Sequence, residues 1–257
     1  VTVWAIAPGT PTGVTSSSPT TSQISLSWTQ PASNGSTITD YVIQYSTDNS
    51  SWSTFADGTS ASLSATVTGL NSNTLYYFRV AAVNGIGTGS YSSSATGTTI
   101  ANAPTAPSAS IVSTSSLSLS WTAPSGTATT DYTVQYSTDN TTWNTFSDGT
   151  STATSATFTG LSSNTLYYLR VAAVNAGGTS AYSSSVTGTT LSSAPTGLSA
   201  SSNTNYYVSL SWTAPSGSET TDYSIQYSFD NSNWVTYSHA ASTSTSATFG
   251  GLDPNTL

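Results

Sequence analysis

The sequence predicts an all-β protein made of tandem, similar modules. Three observations carry this: an internal period of 91 residues, apolar residues at every second position, and no stripe of helical spacing. Trp52, Trp143 and Trp234 are 91 apart, as are Asp48, Asp139 and Asp230, and Leu70, Leu161 and Leu252. A repeat of that length is one small domain, so the chain is an array of similar units.

Within each repeat the elements follow in order. Ile24, Leu26 and Trp28 alternate with Ser25 and Ser27, and the pattern returns at Leu117, Leu119, Trp121 and at Val208, Leu210, Trp212. That alternation puts one strand face in a core and leaves serine on the other. After a loop bearing Pro or Gly comes Tyr41-Val42-Ile43-Gln44-Tyr45, repeated at 132–136 and 223–227. The pairs Asp48-Asn49, Asp139-Asn140 and Asp230-Asn231 follow, and residues that tolerate positive φ predict a tight hairpin there. Trp28 to Trp121 is 93 residues but Trp121 to Trp212 is 91, so the first repeat carries two extra residues. Because Trp28 to Asp40 is 12 residues and Trp121 to Asp131 is 10, the extra pair lies in the loop after the tryptophan strand.

The third segment runs Gly69-Leu70-Asn71-Ser72-Asn73-Thr74-Leu75-Tyr76-Tyr77-Phe78-Arg79-Val80-Ala81-Ala82-Val83-Asn84, and its copy runs 160–175 with Leu169 for Phe78. Here the chain resembles the fibronectin type III family. Members carry a Trp on the second strand, a Leu and then Thr-x-Tyr leading into the sixth, and Arg-Val-x-Ala-x-Asn along it. Trp28, Leu70, Thr74, Tyr76, Arg79, Val80, Ala82 and Asn84 match that pattern, as do Trp121, Leu161, Thr165, Tyr167, Arg170, Val171, Ala173 and Asn175. The resemblance implies immunoglobulin-like sandwiches, with Tyr76 and Tyr167 as tyrosine corners. It also implies Trp28 between sheets about 10 Å apart, and a role as spacer and protein-interaction scaffold.

The expected division is an apolar strand or module end at 1–7, then modules at 8–100, 101–191 and 192–257. Pro-rich junctions at Ala103-Pro104-Thr105-Ala106-Pro107 and Ala194-Pro195-Thr196 read as short, semi-stiff linkers. The chain starts at Val1 and its third copy stops at Leu257, before the last two strands of the pattern. The expectation is a portion of a longer array. The competing reading is that Val1–Ala7 completes a neighbour's third module by strand addition, which one strand in place of two argues against.

Composition narrows the function. Two arginines and no lysine face ten acids, for a net charge of −8. Such a surface repels nucleic acid and anionic lipid, and no apolar window reaches the roughly 18–20 residues that span a bilayer. There is no Cys, so no disulfide framework and no thiolate site. Val, Ile, Leu and Phe make up only 42 of 257 residues, and 15 Tyr with 7 Trp supply the missing apolar area.

The sequence assigns no catalytic, cofactor-binding or metal-binding residue, and reads as a protein that is not an enzyme. His239, the single histidine, falls where the other repeats have Asp57 and Asp148, and has no partner motif. Glu219 is the single glutamate, and Asp40, Asp131 and Asp222 before a strand tyrosine read as turn formers. Asp48 and Asp57 could approach across a hairpin but lack the alternate-oxygen spacing of a calcium loop. Asn84-Gly85-Ile86-Gly87-Thr88-Gly89 has neither the strand-then-helix context nor the lysine of a phosphate loop, and reads as a flexible connection. Trp52 and Phe55, Trp143 and Phe146, and Trp234 and Tyr237 either pack over the sheet edge or stack on sugars. Asn34, Asn49 and Asn140 head Asn-x-Ser/Thr triplets, and no Arg-Gly-Asp triplet occurs.

The reading is a non-catalytic extracellular spacer and interaction array on a cell surface or virion, of bacterial or phage type. Its partners are other proteins, copies of itself or surface polysaccharide, with no nucleic acid and no membrane insertion. The alternatives are an accessory stalk of a secreted polysaccharide-degrading enzyme and a self-assembling filament or phage-appendage subunit. Arg79 and Arg170 both fall in the sixth strand of their repeats. Trypsin should therefore leave the folded chain intact over a digestion that fragments a denatured control, and rapid native cleavage at either arginine contradicts the strand assignment.

Overall fold

The computed structural model describes residues 4–204 and 207–250. The expectations for Val1–Val3 and for the tail from Leu252 lie outside the described residues.

The first unit comprises β1 (Thr12–Ser17), β2 (Gln23–Thr29), β3 (Ile38–Ser46), β4 (Ser53–Thr54), β5 (Ser64–Thr68), β6 (Leu75–Asn84), β7 (Gly87–Thr88) and β8 (Ala95–Thr98). The second repeats them as β9 (Thr105–Ile111), β10 (Leu117–Thr122), β11 (Asp131–Ser137), β12 (Asn144–Phe146), β13 (Ser155–Phe158), β14 (Leu166–Asn175), β15 (Gly178–Thr179) and β16 (Val186–Thr189). In the third, β17 (Thr196–Thr204), β18 (Tyr207–Thr213), β19 (Gln226–Tyr227), β20 (Val235–Thr236) and β21 (Ser246–Gly250) are formed.

A three-stranded sheet, β1-β2-β5, faces a five-stranded one, β4-β3-β6-β7 with β8 also on β6, and the second unit copies both. All pairing is antiparallel; Ile43 faces Val80 and Val134 faces Val171 across the central pair. Period-two burial follows the sequence. Ile24, Leu26 and Trp28 of β2 enter the core with Ile43, Val67, Phe78 and Val80. Their counterparts Leu117, Leu119, Trp121, Val134, Phe158, Leu169 and Val171 fill the second. Trp28, Trp121 and Trp212 lie edge-on to Tyr41, Tyr132 and Tyr223 with centroids 5.2, 5.0 and 5.1 Å apart. Their indole nitrogens find no acceptor, so packing alone holds these rings in place.

The Asp-Asn hairpins form as expected. Asn49, Asn140 and Asn231 take φ of 58°, 58° and 57°. The Asp48 carboxylate accepts the amides of Ser50 and Ser51 at 2.8 and 2.7 Å and the hydroxyl of Ser46 at 2.8 Å. Asp139 and Asp230 close their turns in the same way. The amide of Ser51 does most to hold the Asp48 carboxyl far below the usual carboxylate range, followed by Ser50 and Ser46.

Two expectations need correction. Asp40 and Asp131 do not form turns: they lie within strands and accept the amides of Ser60 and Ser151 across the unit, each at 2.9 Å. Residues 4–11 belong to no strand, although the apolar alternation of Trp4 and Ile6 looks like one.

The tyrosine corners are present: Tyr76 accepts the Asn71 amide and Tyr167 the Ser162 amide, each at 2.9 Å. Tyr76→Phe and Tyr167→Phe each leave a part-buried amide without its acceptor. Each should cost about 1–2 kcal/mol in urea unfolding, and an unchanged midpoint in both variants would show that the corner contributes nothing.

Candidate functional site

The features most specific to this chain are its joints, where the end of one unit docks on the next. Asn73 sits just before β6 in left-handed backbone, φ 52°, and is fully buried. Asparagine takes that conformation with little strain, which is why it can stand at so tight a bend. Its side chain reaches into the second unit: Nδ2 donates to Thr129 Oγ1 at 2.8 Å, and Oδ1 accepts Asn175 Nδ2 at 3.0 Å. Asn175 Nδ2 also donates to the Thr99 carbonyl at 2.9 Å, while the Asn73 carbonyl accepts the Ala128 amide at 3.2 Å. Every polar atom of the Asn73 side chain is thus satisfied across the joint.

The second joint repeats the first. Asn164, φ 48°, donates through Nδ2 to Thr220 Oγ1 at 2.8 Å, and its carbonyl accepts Ser218 at 3.1 Å and Glu219 at 3.4 Å. Glycine makes the close approach possible. A Cβ on Gly126 would stand 2.5 Å from the Asn73 carbonyl oxygen, and one on Gly217 would overlap that of Asn164. Both glycines lie at positive φ, 94° and 100°. Gly177 is equally confined, since a Cβ there would overlap the Thr98 carbonyl oxygen.

The first unit uses the same grip on the segment that precedes it. Asn84, 91 residues before Asn175, donates through Nδ2 to the Ile6 carbonyl at 2.9 Å, as Asn175 does to Thr99. Its Oδ1 accepts the amides of Ile86 and Gly87 at 2.9 and 3.2 Å, so the glycine-bearing segment is a tight hairpin, not a flexible connection. Ile38 and Ile86 stand here in place of Thr129 and Gly177.

The two arginines form a second repeated constellation. Arg79 donates Nε and Nη2 to Gln44 Oε1 at 2.9 and 2.7 Å, with its guanidinium carbon 4.1 Å from the Trp52 ring centre and 4.4 Å from that of Tyr91. Arg170 repeats this with Gln135, Trp143 and Tyr182, at ring distances of 3.8 and 4.1 Å. Cation–π contact and a shared amide acceptor fix each guanidinium, and neither pairs with a carboxylate among the described residues. Of the aromatic residues singled out above, Trp52 and Trp143 therefore pack on arginine, while Phe55 and Phe146 pack against the cores. Tyr237 packs on Phe249 at 5.1 Å, and Trp234 is 54% exposed.

The acids do not gather: no group of three or more possible metal ligands occurs among the described residues. Asp57 faces Asp40 rather than Asp48; desolvation first, then Asp40, push its carboxyl up against the effect of its own backbone amide. Glu219 joins Ser218 at 3.1 Å beside the second joint. No helix among the described residues is long and apolar enough to cross a membrane, which leaves strand-built membrane proteins unaddressed.

His239 has partners that its sequence context does not suggest. Nδ1 lies 2.8 Å from the Ala240 carbonyl oxygen and Nε2 2.9 Å from that of Tyr223, with Asp222 at 3.9 Å and the Tyr237 ring stacked at 5.9 Å. Carbonyl oxygens only accept, so both bonds coexist only in the imidazolium. The Ala240 carbonyl does most to raise its pKa, aided by Tyr223 and Asp222 and opposed by desolvation.

The sequence profile of the fibronectin type III domain matches residues 9–98, 102–189 and 193–257. Mouse Protein sidekick-1 is 37% identical over 70 residues, a stretch that spans 27% of this chain and 3% of the mouse protein. Among solved structures, the FN1–FN3 domains of chicken CNTN1 are 21% identical at a TM-score of 0.37, covering 96% of this chain and 90% of that one. A two-domain fibronectin type III segment of chicken tenascin is 22% identical at a TM-score of 0.43, covering 70% of this chain and 98% of that one.

A raised folded pKa means the imidazolium stabilises the third unit fully below the free histidine value of about 6.5. That stability is lost as pH rises through the folded value. NMR titration of His239 should give a pKa above that of a denatured control, and a value at or below the control overturns the two-carbonyl arrangement.

Proposed function

We propose that this chain, which belongs to the fibronectin type III family, is a non-catalytic spacer whose keyed joints hold successive modules at a fixed angle, presenting interaction surfaces outside a cell. The observation that carries this is the repeated joint. Asn73 with Thr129 and Asn164 with Thr220 make the same 2.8 Å bond 91 residues apart. A string of independently tumbling domains has no use for a fully buried side chain in each connection, whereas a spacer that must keep its length does. Modules at 8–100, 101–191 and 192–257, with 1–7 preceding them, are the units of this spacer.

Composition supports an extracellular setting, on a cell surface or virion; a bacterial or phage source is part of the proposal. The surface is rich in Ser, Thr and Gly, carries a net charge of −8, and lacks lysine and cysteine. Partners are other proteins or further copies of the module. Surface polysaccharide is a weaker reading, and so is the enzyme-stalk alternative, because Arg79 and Arg170 cover one face of Trp52 and of Trp143. A self-assembling filament or phage-appendage subunit needs the chain to polymerise, which the spacer does not.

The test is geometric. Small-angle scattering should report a narrow distribution of particle length for the native chain. Thr129→Val with Thr220→Val removes about 1 kcal/mol of hydrogen bonding at each joint without disturbing the left-handed asparagines. That variant should broaden the length distribution while each module's unfolding midpoint stays put. A native chain already as broad as the variant would defeat the spacer reading, and concentration-dependent rods would favour the filament.

A further inference from the structure

We propose that Asn34-Gly35 is a site of spontaneous deamidation whose conversion releases the N-terminal segment Trp4–Gly9 from the first module. The two extra residues of the first repeat lie in the loop that supplies this pair. At the 91-residue offset the second repeat has Ser125 before Gly126, where the first has Asn34 before Gly35. Asn34 Nδ2 donates to the Ala7 carbonyl at 2.8 Å, and the Asn34 carbonyl accepts the Ile6 amide at 3.1 Å. The segment is further held by the Gly9 amide on the Ala32 carbonyl at 2.8 Å and by Asn84 on Ile6.

The chain has two Asn-Gly dipeptides, and both asparagines hold this one segment. Asn-Gly favours the reaction because a residue without Cβ lets its amide nitrogen swing onto the preceding side chain. The Gly35 nitrogen attacks Asn34 Cγ, the five-membered imide closes, and ammonia leaves with the side-chain nitrogen. Water then opens the imide at either carbonyl, giving aspartate or isoaspartate. The net change is one water consumed and one ammonia released, with no oxidant or cofactor.

The structure separates the two candidates. Asn84 is buried and its side chain makes five hydrogen bonds, to Ile6, Ser33, Ser36, Ile86 and Gly87. The Asn34 side chain makes one, in a half-buried turn where Asn34 and the exposed Gly35 take φ of 57° and 87°. Asn34 therefore converts first. The product cannot hold the segment, because a carboxylate has no hydrogen to give the Ala7 carbonyl and repels it instead. The isoaspartyl form also routes the backbone through the side chain, which shifts the carbonyl that Ile6 uses. Trp4 and Ile6, 83% and 59% exposed, are then free to leave the end of the module.

The test ages the whole chain in mildly alkaline buffer, with peptide mapping for the amide-to-acid mass gain and hydrogen exchange at Ile6 and Gly9. Conversion at Asn34 should run at least about tenfold ahead of Asn84, which must open four more hydrogen bonds before its ring can close. Protection at the Ile6 amide should fall in step with conversion. Asn34→Asp should show the loss from the outset, with protection in β3 and β6 intact. Conversion at Asn84 first overturns the proposal, as does an Asn34→Asp variant that keeps native exchange at Ile6.

Discussion

One turn ties core to joint, and its closing bond is the Asn71 amide on the Tyr76 hydroxyl. Leu70 and Tyr76 are buried on either side of it, so the two ends of the turn are anchored inside the sandwich. Between them the chain has five residues in which to reverse, and Asn73 in left-handed backbone completes the bend. Thr99 secures the turn from the linker, giving its hydroxyl to the Asn71 carbonyl at 2.7 Å and accepting the Thr74 amide at 3.1 Å. The Asn73 side chain is thereby aimed outward from a base that cannot move without opening the core. The joint inherits its rigidity from the tyrosine corner.

Near-absence of positive charge shapes what remains. With ten acids and two arginines, ion pairing cannot organise this surface, and the acids are stabilised by backbone amides instead. Asp48, Asp139 and Asp230 each close a turn on their own amides, which needs no counter-ion. The arginines are held between aromatic rings, where a guanidinium serves as a flat filler across the open face of the larger sheet. Lysine, a point charge without a planar face, could not replace it there.

Much of this was legible in the residues. Alternation around Trp28, the Asp-Asn hairpins and the Thr-x-Tyr run determine strands, turns and corner, because each is a local pattern with a local cause. The joint was not legible by that route, although Asn73-Thr74-Leu75 recurs at 164–166 and 255–257 and the signal was present. An asparagine before a strand reads as a turn residue, and nothing local says that its amide will meet a threonine 56 residues away. The carboxylates of Asp40 and Asp131 misled for the same reason: their partners lie 20 residues on. The contact between Arg79 and Trp52 likewise depends on sheet pairing that brings β4 and β6 to either side of β3.

The repeats differ where sterics demand it, and this separates the first unit from the second. Gly177 can approach the Thr98 carbonyl only because it lacks a Cβ, so any side chain there pushes the neighbouring module away. The equivalent position in the first unit is Ile86, 58% exposed, and the threonine that would receive a neighbour's asparagine is Ile38. The first unit thus lacks the threonine and the glycine with which the second unit meets its neighbour. What the loop lengthened by two residues supplies instead is Asn34, which grips a short segment by its backbone and asks nothing of its side chains. One scaffold thus carries two kinds of coupling, set by glycine or isoleucine at the hairpin tip, threonine or isoleucine two residues before the strand aspartate, and the length of one loop.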